Sequence, residues 1–250
     1  MSTSTGIRKP AQDESSDLAK RLTALRAVPL LRDLGQAVLD KLAQISVLHY
    51  VPEGTIVCRQ GEPSNPFYII IEGQLSGFST APNGTTAVVE VIRTGDPLGL
   101  ANVLAGLPRQ LSAQAITPCE LLAIDTAGLM ALVAQETSLV TALLRAQATE
   151  FRALVRQVCD LKLRTTAQRL GCYLLELSQQ TQGNTTALRL PFDKRLLAAR
   201  LGCRQENLSR AFAALRSFGV ETHGARVILH DIAKLRAYSE PDEPIEEVPA

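Results

Sequence analysis

Histidine is scarce in this chain: three in 250 residues, with only His49 in the N-terminal half. A Ser/His/Asp constellation or a histidine metal centre therefore has little to build on. The five cysteines, Cys58, Cys119, Cys159, Cys172 and Cys203, stand far apart with no CxxC pair. They suit a reducing compartment and give no metal-ligand spacing, so no metal site is expected. No run of about 18 apolar residues occurs, and the Ser/Thr-rich N-terminus has no apolar centre. Neither a membrane span nor a signal peptide is expected, and the expected location is cytoplasmic. With no acid/base pair or partnered nucleophile in view, an enzyme is not expected either. Net charge is nearly absent too, at +1.

That small charge hides an asymmetry. From Asp160 to Ser239 there are 13 Lys/Arg against 6 Asp/Glu, and from Glu240 onward five carboxylates and no base. A basic C-terminal domain beside an average remainder suits nucleic acid at one end only, and the acidic tail reads as a solvated disordered segment. At 250 residues, 46% of them hydrophobic, the chain can fill the cores of two domains.

The stretch Asp193–Gly219, DKRLLAARLGCRQENLSRAFAALRSFG, organises the basic end. Two apolar-periodic runs flank Gly202-Cys203, and a glycine there can take a positive φ and end the first helix. Leu208, Phe212 and Leu215 recur at i, i+4, i+7 and would pack on Leu197 and Leu201. Gln205, Glu206, Ser209 and Arg210 fall on another face, within one helical turn. A guanidinium fork matches guanine O6/N7 and a carboxylate accepts from cytosine N4, as a helix in a major groove requires. An ordinary αα-hairpin with a solvated polar face shows the same pattern. The following Val220–Leu229 segment, with His223-Gly224 at its turn, reads as a β-hairpin, and the combination reads as a winged helix.

Upstream, residues 1–20 are polar and expected to be disordered. Helical periodicity at Leu22, Leu25, Leu30, Leu34, Val38, Leu42 and Ile45 is broken at Pro29. Between Leu48 and Ile124, short β-rich runs alternate with Gly, Pro and Asn, the pattern of an antiparallel sandwich or barrel. Helix returns at Thr126. Leu144, Ala148, Phe151, Val155 and Val158 are spaced 4, 3, 4, 3, the seam of a coiled coil. Leu143, Leu154 and Leu161 form a second ridge, so a partner copy is expected to cover one of the two, the other choice being burial within one domain. Thr165 with Gln168 offers a capping box, which places a helix start and a hinge near Lys162–Arg164.

A β-domain, a long helix and a winged helix in that order resemble the Crp/Fnr family of bacterial transcription regulators, from about Leu30 to Tyr238. The residues that carry the resemblance are VPEGTIVCRQGEPSNPFYIIIEGQL, then GDPLG, SAQA, LRTTAQRLGCYLLEL and, most specifically, GCRQENLSRAF. The resemblance implies an α+β fold: a β-roll effector domain at 21–136, a dimerisation helix at 137–163, a winged helix-turn-helix at 164–238 and an acidic tail at 239–250. It implies a homodimer seamed through Leu144, Ala148, Phe151, Val155 and Val158, bound to double-stranded DNA and working with RNA polymerase. Glu206 and Arg210 would read the core of each half-site. Ser209 matches the Fnr branch and its TTGAT half-sites. Gln205 departs from the cyclic-AMP receptor's arginine, and Arg204 replaces the usual Ser or Thr N-cap and is expected to reach a phosphate.

Carried over by position, the effector pocket falls on Leu100, Leu111, Ser112, Leu154 and Val155. Cyclic-AMP-binding members place a Glu at the Leu100 position and an Arg at the Leu111 position. A cyclic phosphate buried without a cation opposite it is very costly, so cyclic AMP is not expected at the usual site. Fnr-type iron–sulfur sensing needs a cysteine cluster near the N-terminus, and none precedes Cys58. An apolar pocket resembles that of haem-binding members, with His49, Cys58 or Cys119 as candidate axial ligands. A regulator controlled by abundance alone, and a sensory cyclic-nucleotide-type module that does not bind DNA, are the alternatives.

Overall fold

The computed structural model describes residues 12–84, 86–178, 183–190 and 194–241. In chain order the elements are α1 (Gln12–Ala27), a 3-10 turn at Pro29–Leu31, α2 (Gln36–Gln44), β1 (Ser46–Val51), β2 (Ile56–Cys58), β3 (Phe67–Glu72), β4 (Gln74–Thr80), β5 (Thr86–Arg93), β6 (Pro97–Leu98), α3 (Leu100–Ala105), β7 (Ser112–Ala115), β8 (Cys119–Ile124), α4 (Thr126–Val133) and α5 (Thr137–Leu163). They continue as α6 (Thr166–Ser178), β9 (Thr186–Arg189), α7 (Lys194–Arg200), α8 (Gln205–Leu215), β10 (Val220–His223), β11 (Arg226–Leu229) and α9 (Ile232–Ser239). The fold is α+β: an antiparallel β-roll, a long helix and a winged helix-turn-helix.

The roll is two four-stranded antiparallel sheets, ordered β1-β8-β3-β6 and β2-β7-β4-β5. In the first sheet both faces are covered. Phe67, Ile69, Leu122 and Ile124 join the helical cluster, while Ile70, Cys119 and Leu121 face the roll interior. A strand buried on both sides needs apolar residues in succession, which is why β3 reads FYIII rather than alternating. The second sheet turns Cys58, Leu75, Ile92, Ala113 and Ala115 inward and its other face out.

Helix α1 begins at Gln12, inside the stretch expected to be disordered up to residue 20. Leu18, Leu22, Leu25 and Val28 dock it on the helical cluster. Its Arg21 guanidinium donates to the carbonyls of Ala43 and Ser46, at 2.9 and 2.7 Å, satisfying the end of α2. The remaining expected disorder, 1–11 and 242–250, lies outside the described residues.

Two compact units make up the chain, Met1–Arg152 and Ala153–Ala250, so the division falls inside α5 rather than at Lys162–Arg164. Residues near that expected hinge are tied into the second unit. Arg164 pairs with Asp160 and donates to the Glu240 carbonyl, and Arg169 donates to the Arg164 carbonyl. In the first unit, Leu139, Ala142 and Leu143 bury the start of α5 in the helical cluster.

In the second unit the capping box is reciprocal: Thr165 N–H donates to Gln168 Oε1 at 3.0 Å, and Gln168 N–H to Thr165 Oγ1 at 3.2 Å. Helix α9, with no counterpart among the sequence expectations, is capped by Asp231, whose side chain accepts from Lys234 N–H. It packs where Gly171 of α6 leaves room for Ser239 and Leu235. The wing hairpin closes on Gly224-Ala225, not His223-Gly224: His223 is a strand residue registered with Arg226. Of the two-residue hairpin turns, type II′ has its glycine first, and Gly224 has φ +62° while Ala225 does not have a positive φ. A third strand, β9, completes the sheet in the order β10-β11-β9.

Candidate nucleic-acid interface and effector chamber

Helix α8 divides its residues as its spacing requires. Leu208, Ala211, Phe212 and Leu215 are buried, as are Leu197 and Leu201 on the preceding helix and turn. Arg204, Gln205, Glu206, Ser209 and Arg210 are all exposed. The turn before α8 depends on Gly202, which has φ +62° and lies against Leu161 of α5, so closely that a Cβ would collide with it. Arg169 braces the same turn, its Nε donating to the Leu201 carbonyl at 3.0 Å. The turn before α8 is thus met by one side chain from α5 and one from α6.

Among the described residues neither Glu206 nor Arg210 has an ion pair, although they are four apart on one helix, so both keep their hydrogen-bonding capacity for an outside partner. The Ser209 hydroxyl donates back to the Gln205 carbonyl at 3.1 Å and presents its lone pairs outward. Arg204 occupies the N-cap with extended backbone, φ −78° and ψ 156°, and its side chain makes no cap hydrogen bond. The guanidinium stands exposed beside unsatisfied N–H groups at a helix N-terminus, a setting that favours a phosphate.

Of the residues assigned to an effector pocket, Leu100, Leu111 and Ser112 belong to the first unit and Leu154 and Val155 to the second. Leu100 is fully buried in the helical cluster. Ser112 is buried, and its hydroxyl accepts from Gln60 N–H at 2.9 Å. Leu154 and Val155 belong to the second unit and are exposed. Leu111 alone stands at the open inner face of the roll, against Gly77, where a Cβ would meet it and Glu90.

Beside Leu111 stands a carboxylate. Glu90 has the same strand parity as the inward Ile92 and lies over Gly77. Burial raises its pKa, and so does Asp96. Burial raises Asp96 as well, against the Arg93 N–H that donates to it. On α5, burial followed by the charges of Glu90 and Asp96 pushes the Glu150 carboxyl up to about 7, while a Gln147 hydrogen bond pulls it back. Neither Asp96 nor Glu150 figured among the candidate residues, and Glu90 did not either. Its signal was a charge in the inward phase of VVEVI.

Arg109 is the cation nearest in sequence to the expected cassette, and it is committed elsewhere. Only 6% exposed, it donates to the Pro66 carbonyl and lies 5.3 Å over the Tyr68 ring. The haem candidates fare no better. His49 is exposed on β1. The Cys119 thiol is buried and donates to the Gln74 and Thr117 carbonyls. Burial pushes the Cys58 thiol up, away from the thiolate a metal requires. These placements do not fit a haem ligated within the roll. No cluster of three or more His, Cys, Asp or Glu suited to a metal ion occurs among the described residues. Nor, among them, is any single helix long and apolar enough to cross a membrane.

Comparison with known proteins places these features. Residues 48–136 match the cyclic nucleotide-binding domain family and residues 168–238 the Crp-like helix-turn-helix domain family. A structure from Ruegeria pomeroyi, described as that of a cyclic nucleotide binding protein, is 32% identical. It superposes with a TM-score of 0.60 over 90% of this chain and 99% of its own. The CRP-like cAMP-activated global transcriptional regulator of Mycobacterium tuberculosis is 28% identical, over 74% of this chain and 84% of its own. FixK2 from Bradyrhizobium japonicum, at 20% identity and a TM-score of 0.63, shares the fold over 77% of this chain and 96% of its own.

Proposed function

The chain belongs to the Crp/Fnr family of DNA-binding transcription regulators, and we propose that it acts as a homodimer reading a TTGAT-like palindrome. Glu206 and Arg210 read base edges, with Gln205 and Ser209 beside them, and Arg204 contacts a phosphate. The observation that carries this reading is the division of α8: Gln205, Glu206, Ser209 and Arg210 exposed together, with Arg204 at the N-cap, on a helix whose other face is core. A major groove admits such a helix, and two of them about one helical turn apart match a palindrome.

The dimer reading rests on α5. Leu144, Phe151, Leu154, Val155, Val158 and Leu161 are exposed large apolar side chains on one continuous helix, with Ala148 between them. A contiguous apolar stripe of this kind is what a protein surface ordinarily avoids unless a partner covers it. The heptad spacing names the same helix of a second copy as that partner. Leu161 has a second duty against Gly202, so helix pairing and the reading turn share one side chain. RNA polymerase is the further partner expected of a regulator of this family.

The effector, in this reading, is not a cyclic nucleotide held through a phosphate. An anion entering the roll would meet Glu90, Asp96 and Glu150, with Arg109 already engaged. Anisotropy titrations with a labelled TTGAT-N4-ATCAA duplex against a scrambled duplex, at fixed salt, test the core claim. Preference for the palindrome by at least about 100-fold is expected of specific recognition. Equal affinity for both duplexes would overturn the half-site assignment.

A further inference from the structure

Helix α9 delivers the chain to a fixed point. Ser239 is fully buried, the Glu240 N–H donates to the Arg236 carbonyl at 3.0 Å, and Arg164 Nη2 donates to the Glu240 carbonyl at 2.8 Å. From there two side chains lead to the turn before α8. The Arg164 carbonyl accepts from Arg169 Nη1 at 2.7 Å, and Arg169 Nε donates to the Leu201 carbonyl at 3.0 Å. Three hydrogen bonds in series, joined by one arginine and one guanidinium, put Glu240 within about 20 Å of Leu201. Arg204 follows that turn, and Arg210 lies about 9 Å further along α8. Both are exposed, and among the described residues neither has an ion pair. Glu206 is the one carboxylate of α8, so the two arginines leave its reading face net positive.

Beyond Pro241 the sequence continues DEPIEE, four carboxylates in six residues with no base, against 13 basic and 6 acidic residues over Asp160–Ser239. Seven residues, Glu240 to Glu247, span at most about 25 Å, enough to pass the turn and meet the first guanidinium beyond it. Fully extended, Glu243 and Glu246 stand about 10 Å apart, close to the separation of Arg204 and Arg210 along the helix. A segment rooted at a fixed point meets its target at an effective concentration of about a millimolar. Carboxylates and phosphates compete for the same guanidinium forks.

We propose that the acidic segment Asp242–Glu247 docks on the reading face of α8, its carboxylates against Arg204 and Arg210, and that a duplex binds only by displacing it. Non-specific DNA, held through phosphates alone, then competes poorly with the segment, whereas a palindrome adds base contacts that the segment does not match. The effect on DNA rests on the assignment of α8 as the reading helix, but the docking itself is measured without DNA. Arg189 and Arg226 serve as internal controls. They are exposed and without an ion pair among the described residues, and they stand at the ends of β9 and β11 remote from α9.

The experiment compares the full-length wild type with the variant D242N/E243Q/E246Q/E247Q. Phenylglyoxal, which modifies arginine, is applied without DNA at about 50 mM salt, and each site is followed by peptide mass spectrometry. Arg204 and Arg210 are expected to react about threefold more slowly in the wild type, with Arg189 and Arg226 equal in the two proteins. At about 0.5 M salt the difference should vanish, because exposed ion pairs are screened. At the lower salt the variant should also bind a random-sequence duplex about three- to tenfold more tightly than the wild type. Equal reactivity of Arg204 and Arg210 in the two proteins would overturn the proposal, even if the variant bound DNA more tightly, since net charge alone would explain that gain. Equal slowing at all four arginines would overturn it too, as would unchanged duplex affinity. Failure of both proteins to bind any duplex, with Arg204 and Arg210 still protected, would instead count against α8 as the reading helix and leave the docked segment standing.

Discussion

The β-roll and the winged helix treat charge in opposite ways. At the roll, burial raises Glu90, Asp96 and Glu150, with like charge adding to the rise at Glu90 and Glu150, and the buried Arg109 is spent on Pro66 and Tyr68. In the winged helix uncompensated cations stand on the surface beside the one unpaired carboxylate of α8, Glu206: Arg204 at the N-cap of α8, Arg210 on it, and Arg189 and Arg226 on the wing. A buried group that is costly to ionise gives a domain two states of different stability. An exposed group that costs nothing while solvated waits for an external anion.

Breaking the link between the two regions has the largest expected effect. A charge at Val155, as in V155E, places a carboxylate in the middle of the exposed stripe of α5. Sedimentation velocity should then show monomer, and anisotropy a loss of operator affinity of at least about 100-fold, because a single reading helix forfeits the second half-site. A V155E protein that stays dimeric and binds normally would remove α5 as the interface.

Next in size are the arginines of the second region. R210A should lose about 1–3 kcal/mol of discrimination at one base position, with affinity for other sequences little changed. R204A should weaken binding to every duplex alike and lower the salt slope by about 1. If the two variants behave alike, the division between base reading and phosphate contact fails.

The smallest effect tests the first region by itself. Glu150 has an ordinary value of 4.5 and is raised to about 7 in the folded protein. Below pH 4.5 it is protonated in both states and contributes nothing to the pH dependence. As pH rises above that the unfolded chain ionises first, so the folded state loses stability until about pH 7 and stays at the lower level beyond. E150Q should therefore raise stability at pH 8 by about 1–2 kcal/mol, after allowance for partial exposure, and change little near pH 4. Urea unfolding at the two pH values measures it. Equal stability of wild type and E150Q at pH 8 would mean the chamber is open to water.

Local patterns made much of this legible beforehand. The Leu208–Phe212–Leu215 spacing, the Thr165–Gln168 box and the helical return after Thr126 depend on residues within a turn or two of one another, and all three appear as read. The start of α1 was missed because its helix is weakly amphipathic and is held by distant carbonyls at Ala43 and Ser46. Strand β9 was missed because four residues, TALR, carry little periodicity until β11 pairs with them.

Chain order alone determined that an apolar-periodic helix joins a β-rich half to a basic helical one, and that Gln205, Glu206, Ser209 and Arg210 of α8 share its polar face. Periodicity suffices for that, since it fixes which way a side chain points within its own element. Only the tertiary structure decided which charges meet. Glu90 and Glu150 are 60 positions apart in the numbering, and Glu221 joins His230 from the neighbouring strand. Whether a carboxylate finds a histidine, another carboxylate or water depends on packing between elements, and no local pattern encodes it.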